Sequence, residues 1–186
     1  MSSIARGDRG SLARAVAGLQ QGIKHIRRLT QGIAAIQPAH KSGAHQSFTL
    51  CSTPTWRLGL VQLGPEARIP MHDHPGAYAV SHVLAGAVTI DAFALSEQYA
   101  RGRVQLRQAG TNDLAPGETA ILDPWDVNIH RVLASIHGAV LFTGAFANGS
   151  ALASRRWYTT IRQDGTETIE AAVLHERTAN SNVREM

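Results

Sequence analysis

Three histidines are the residues of this chain best arranged to do chemistry. His72 and His74 stand in Ile69-Pro70-Met71-His72-Asp73-His74-Pro75-Gly76, and Gly86 follows twelve residues after His74. In an extended segment residues i and i+2 project to the same face, so both imidazoles can point into one cavity. A third ligand has to come from elsewhere in the chain. His130, in Asn128-Ile129-His130, is the best candidate. Imidazole suits Fe(II), Zn(II), Cu(II) and Ni(II) alike, so ligand type alone does not select the ion. His72 and His74 could instead form a strand edge without metal, but the matching downstream histidine favours ligation. His82 lies at even spacing from His74 and is set aside as a fourth ligand. Pro75-Gly76 breaks the strand register before it, and one slip reverses the face.

The elements that must position these side chains read as strands. From about residue 47 the candidates are Thr55 to Leu63, Ala79 to Leu84, Ala87 to Ala94, Val104 to Arg107, Thr119 to Leu122, Arg131 to Ala134, Ala139 to Phe146 and Arg156 to Ile161. Gly64-Pro65, Pro75-Gly76, Gly86, Pro116-Gly117, Asp123-Pro124 and Asp164-Gly165 separate them. Short strands so punctuated predict an all-β sandwich or barrel, and a jelly roll closes its own edges. Upstream, apolar residues at 12, 16, 19, 23, 26 and 29 step by three and four, which predicts a helix. Ser11 is its N-cap, and Gly18 and Gly22 weaken it. That stretch is rich in Arg with Asp8 as its only acid, which also fits a transit peptide. The apolar stripe favours a helix packed on a partner surface. The expected organisation is a helical extension and loop over 1–46, a barrel over 47–175 and a tail over 176–186.

Composition narrows the function classes. The 186 residues are 44% hydrophobic and 17% charged, which fits one globular domain with a sizeable core. Cys51 is the only cysteine, so no intramolecular disulfide can form; a buried structural thiol is the expected role. No apolar run approaches the ~20 residues needed to span a bilayer, so no membrane partner is expected. The net charge of +4 is scattered and not interleaved with aromatics, which argues against nucleic acid. A cytoplasmic protein, monomeric or a small homo-oligomer, is the expectation.

Two groups of residues carry a family resemblance. Gly64, His72, His74 and Gly86 match the first motif of the cupins, and Gly117, Pro124 and His130 match the second. The glutamate of the first motif is missing, since Tyr78 and Ala79 stand where it would fall, and Asp126 stands where the second motif usually has Gly. A three-histidine set without carboxylate resembles the thiol dioxygenase branch. Within that branch, His72-Asp73-His74-Pro75-Gly76 with Val83-Leu84-Ala85-Gly86 is similar to the cysteamine dioxygenase and plant cysteine oxidase family. So is Leu114-Ala115-Pro116 leading through Leu122-Asp123-Pro124 to Asn128-Ile129-His130. The likeness spans about residues 57 to 160. It implies a cupin barrel holding one Fe(II) per chain on His72, His74 and His130.

The activity so implied is addition of O2 to the sulfur of a small thiol, giving a sulfinic acid. Cysteine, cysteamine, 3-mercaptopropionate or an N-terminal cysteine are the candidate substrates. Three neutral ligands leave the charge of a divalent ion uncompensated, so an anionic thiolate can bind beside O2. Another metal-dependent cupin oxygenase and a non-catalytic ligand-binding cupin are the alternatives. Arg155-Arg156-Trp157-Tyr158 resembles the family's late segment, which makes Tyr158 the candidate catalytic tyrosine, donating to O2 or substrate; a tyrosine simply packed at a strand is the alternative. Asp73 is expected to brace the turn or a ligand's far nitrogen. Tyr78, Arg57 and Arg68 are further candidates to line the site. The family's acid-containing loop is here Phe146-Ala147-Asn148-Gly149-Ser150-Ala151-Leu152, without an acid to meet a cationic amine. An arginine reaching the cavity would favour a carboxylate-bearing thiol instead.

Overall fold

A computed structural model of the chain describes residues 38, 41–98, 102–125, 127–147, 152–164 and 168–174. Residues from Gln37 onward form one compact unit. The expected N-terminal helix and the 176–186 tail lie outside the described residues.

The described part is all-β. Its strands are β1 (His45–Ser52), β2 (Trp56–Leu63), β3 (Arg68–His72), β4 (Ala77–Gln98), β5 (Arg103–Leu114), β6 (Thr119–Leu122), β7 (Ile129–Ala147), β8 (Trp157–Asp164) and β9 (Thr168–Leu174). They pair antiparallel in the order β1-β2-β7-β3-β8-β9-β5-β4-β6, with β4 also pairing β7. That last pairing closes β7, β3, β8, β9, β5 and β4 into a ring. β2, β7, β4 and β6 continue past it as a second sheet, with β1 at its edge.

β4 and β7 belong to both sheets, and their length is the reason. They run 22 and 19 residues, several times the usual five or six. The sequence expectation of separate strands either side of Gly86, and again between Ala134 and Ala139, is therefore corrected. Each pair is one continuous strand that bends. β4 changes register between Val83 and Ala85 and again between Gly86 and Val88. Gly86 and Gly138 both adopt positive φ, 70° and 73°. A Cβ on Gly86 would stand 2.1 Å from the Gly138 carbonyl oxygen, so only glycine fits this crossing.

The bend gives the barrel two apolar compartments. Val61, Leu63, Val83, Val88, Ile90, Val132 and Leu141 pack between the two sheets. Met71, Phe93, Leu106, Ile129, Tyr158 and Ile169 fill the six-stranded ring, every strand of which contributes. Alternation sorts β7 between the two, with Ile129 facing the ring while Val132 and Ala134 face the inter-sheet space.

β1 and β9 are not expected from the sequence. β1 is an edge strand with only Phe48 half-buried, so it carries no apolar alternation to read. Cys51 lies on it at a register shift and is exposed. The expectation of a buried structural thiol is thus corrected: an edge strand has no core face at that position.

Candidate metal centre

Period-2 geometry delivers the histidines to the inter-sheet space. His72 ends β3 and pairs directly with His130 on β7, and opposite residues of an antiparallel pair share a face. His130 in turn pairs with Ala92 of β4. His74 follows His72 by two residues in the segment leading to β4. The ring centroids stand 5.2 Å apart for His72 and His74, 4.3 Å for His72 and His130, and 5.5 Å for His74 and His130. The nitrogens available as ligands all lie within 4.8 Å of one another. Among the described residues no other group of three such side chains converges in this way.

The backbone fixes which nitrogen points inward. His72 Nδ1 lies 2.8 Å from the Pro70 carbonyl oxygen and His130 Nδ1 3.4 Å from that of Asn128. Each carbonyl accepts a proton on Nδ1 and so leaves Nε2 with its lone pair for a metal. Asn128 also clamps His74. Its Oδ1 accepts from the His74 N–H at 3.2 Å, and its Nδ2 donates to the His74 carbonyl at 2.7 Å. One asparagine thus ties the loop ligand to the strand bearing His130.

Burial keeps the cluster neutral. The three histidines are 3%, 9% and 4% exposed. Desolvation is the main cause pushing His72 and His74 well below the ordinary histidine range, helped by Arg155 and by neighbouring histidines. His130 falls to about 4, chiefly through burial, with the Asn128 carbonyl and Asp73 opposing the drop. Neutral imidazoles are what a divalent ion requires. A buried, converging, all-imidazole donor set without a carboxylate therefore fits a first-row divalent metal.

Asp73 faces the other way, as alternation demands. It is 1% exposed and is held by Arg156, just before β8, and by Tyr158 within it. Arg156 donates its N–H to Asp73 Oδ1 at 3.0 Å and Nε to Oδ2 at 2.7 Å, and Tyr158 donates its hydroxyl to Oδ2 at 2.8 Å. The Asp73 N–H donates to the Arg156 carbonyl at 3.1 Å. Asp73 braces the ligand segment against β8; it does not reach a histidine's far nitrogen. Tyr158 is buried in the ring, and its hydroxyl meets Asp73 where a donor to substrate or O2 was expected. Burial and the Asp73 carboxylate push its phenol well above the ordinary tyrosine range.

The remaining candidates separate. Arg57 is exposed at the end of β2 but shares the strand face of Gly59, Val61 and Leu63, and its charge acts on His74. Arg68 does not reach the histidines. It is exposed, outward of Ile69, and lines an open cavity with Glu66, Asp113 and Glu118. Tyr78 is half-buried on the opposite face of β4 from Ala77 and Ala79, so it too points away from the histidines. Both placements are corrections: strand alternation turns Tyr78 away, and the register shift between Ile69 and His72 puts Arg68 on the face opposite Ile69 and His72. His82 shares the Tyr78 face and meets Thr119 Oγ1 at 2.8 Å, apart from the cluster. Asp126 lies outside the described residues.

Arg155, Trp157 and Asn128 are site residues that spacing alone does not reveal. Trp157 pairs with His72, and their rings are 4.9 Å apart. It stands in a run of charged and aromatic residues that resembles the family's late segment, but no spacing rule ties it to His72. Asn128, two residues before His130, is the one with a usable signal.

Several solved structures are similar to this chain. A cupin superfamily protein from Desulfitobacterium hafniense has 10% identity and a TM-score of 0.42, covering 59% of this chain and 84% of that one. An RmlC-like cupin from Shewanella frigidimarina has 14% identity and a TM-score of 0.43, covering 63% and 88%. The Cnp3 cupin domain of Schizosaccharomyces pombe has 12% identity and a TM-score of 0.45, covering 56% and 61%. No curated protein matches the chain. The PCO_ADO family model matches residues 18–179, nearly the whole chain, and the chain therefore belongs to that cysteine/cysteamine dioxygenase family.

Proposed function

We propose that this protein is an iron(II)-dependent thiol dioxygenase that adds both atoms of O2 to the sulfur of a small thiol and releases a sulfinic acid. Sulfur loses four electrons, O2 gains four, and the thiol proton goes to solvent. The observation that carries the proposal is the buried three-histidine set with no carboxylate among its donors. His72, His74 and His130 would hold the ion. When bound, iron supplies Lewis acidity toward the thiol and the redox chemistry with O2.

The protein's own residues do the rest. The Pro70 and Asn128 carbonyls keep protons on the outer nitrogens of His72 and His130. Asn128 sets the distance of His74 from His130. Asp73, Arg156 and Tyr158 lock the ligand segment, which makes Tyr158 a positioning residue in this mechanism. Ala92, the strand partner of His130, packs in an apolar cluster with Ala79 and Leu122. A neutral donor set leaves the cavity positive, which favours a thiolate over a thiol.

The test is O2 uptake by anaerobically Fe(II)-loaded protein with cysteine, cysteamine, 3-mercaptopropionate and a peptide with N-terminal cysteine. Sulfinate is identified by mass spectrometry. One of these thiols should give stoichiometric sulfinate, and His72→Ala or His130→Ala should lose iron and activity together. Iron-loaded protein without thiol-dependent uptake would overturn the proposal in favour of another metal-dependent oxygenase or a ligand-binding cupin.

A further inference from the structure

Two arginines whose charges act on the histidines have no part in the three-histidine chemistry. Arg155 approaches from β8. Trp157 pairs with His72, the Asp73 N–H donates to the Arg156 carbonyl and the Arg156 N–H donates to the Asp73 carboxylate, so continuing the pairing by one position sets Arg155 opposite His74. Faces alternate along this pairing. Trp157 meets His72 on the cavity side and Arg156 meets Asp73 on the other, which returns Arg155 to the cavity side. The electrostatics agree, since the Arg155 charge acts on all three histidines. Arg57, exposed at the outer end of β2, shares the strand face of Gly59, Val61 and Leu63, and its charge acts on both His74 and Arg155.

Among the described residues neither guanidinium has a carboxylate partner. Among the described residues the ion pairs join Arg103 to Glu170, Arg131 to Asp91 and Arg156 to Asp73; none involves Arg155 or Arg57. Two converging arginines without an acid repel each other, and Arg155 is moreover half-buried. Such an arrangement is stabilised by an anion that both can reach.

We infer that Arg155 and Arg57 form an anion-binding end of the metal cavity, and that the thiol accepted there carries a carboxylate. The inference rests on the thiol reading given above and names the substrate class. A thiolate carboxylate brings two negative charges to a cavity shared by a divalent ion and two guanidiniums. Cysteamine brings one charge of each sign and would set its ammonium against the arginines. Cysteine falls between them. The expected order is 3-mercaptopropionate, then cysteine, then cysteamine.

The test is calorimetric binding of 3-mercaptopropionate, its neutral amide and cysteamine to anaerobic Fe(II)-loaded protein, beside O2-uptake kinetics. Wild type should bind the acid more tightly than the amide by roughly 10- to 100-fold, as a lost charge-assisted hydrogen bond implies. Arg155→Gln and Arg57→Gln should each shrink that ratio, and Arg155→Lys should keep part of it. If Arg155→Gln does not fold, Arg155→Lys and Arg57→Gln carry the comparison. Equal binding of acid and amide, or a ratio unchanged in every variant, would overturn the inference. Arginine-dependent binding of the acid without O2 uptake would support the anion site while removing the dioxygenase reading.

Discussion

At the scale of single residues, Asp73 shows why a residue inside a ligand motif need not be a ligand. It sits between two histidines, yet its carboxylate accepts from Arg156 and Tyr158 on the far side of the strand. Tyr158→Phe removes one buried donor and should cost about 1–3 kcal/mol in denaturant unfolding. Asp73→Asn breaks a bond to a guanidinium that is half exposed, so solvent already screens part of it. Its cost should fall near the lower end of the ~3–5 kcal/mol typical of a broken buried pair. Both variants should also raise KM before they change kcat, because the ligand segment loosens while the donors stay.

The depressed histidines give a pH dependence whose sign is fixed. An unfolded chain takes up protons near pH 6.5, whereas folded His130 resists protonation down to about 4. The folded state therefore binds fewer protons across that window, and stability rises with pH through it. The metal-free protein should show a Tm that is flat above pH 7 and falls progressively from about pH 6.5 toward 4. Differential scanning calorimetry measures this directly.

At the scale of elements, two pieces of backbone carry the site. Asn128 joins the loop after β3 to the start of β7 through both of its amide atoms. Asn128→Ala should leave all three imidazoles in place yet weaken metal binding by about 10- to 100-fold, measured by chelator competition. The second piece is the crossing of β4 and β7 at Gly86 and Gly138. Any side chain on Gly86 collides with backbone rather than with a flexible neighbour. Gly86→Ala should therefore destabilise by more than a usual core substitution, beyond about 3 kcal/mol, and appear as loss of soluble protein.

At the scale of the whole molecule, the barrel is two sheets sharing long strands, with the histidines opening between them. A metal held by His72, His74 and His130 would link β3, its following loop and β7. Ligand binding to the folded state alone stabilises it by mass action. Zn(II) or Fe(II) at about 100 times its Kd should add roughly 2.7 kcal/mol and raise Tm, and a chelator should reverse the shift. His130→Ala should abolish the metal-induced rise. No helix among the described residues is long and apolar enough to cross a membrane.

The sequence by itself determined the all-β architecture and the three histidines. Both rest on local signals: turn residues that punctuate strands, and an i, i+2 spacing that places His72 with His74. The matching Asn128-Ile129-His130 segment supplied the third. The tertiary structure alone decided the continuity of β4 and β7, because a glycine that ends a strand and one that bends it look alike until the crossing chain is present. It also separates the two arginines that flank the first motif. Arg68 is adjacent to the histidine segment in sequence and Arg57 is farther upstream, yet Arg68 lies opposite Ile69 on β3 while Arg57 shares the face of Val61 and Leu63 on β2. Arg155 lies eighty residues beyond the first histidines, and only the β3–β8 register brings it beside His74. Strand pairing between distant segments is set by packing of the whole chain, and no local spacing encodes it.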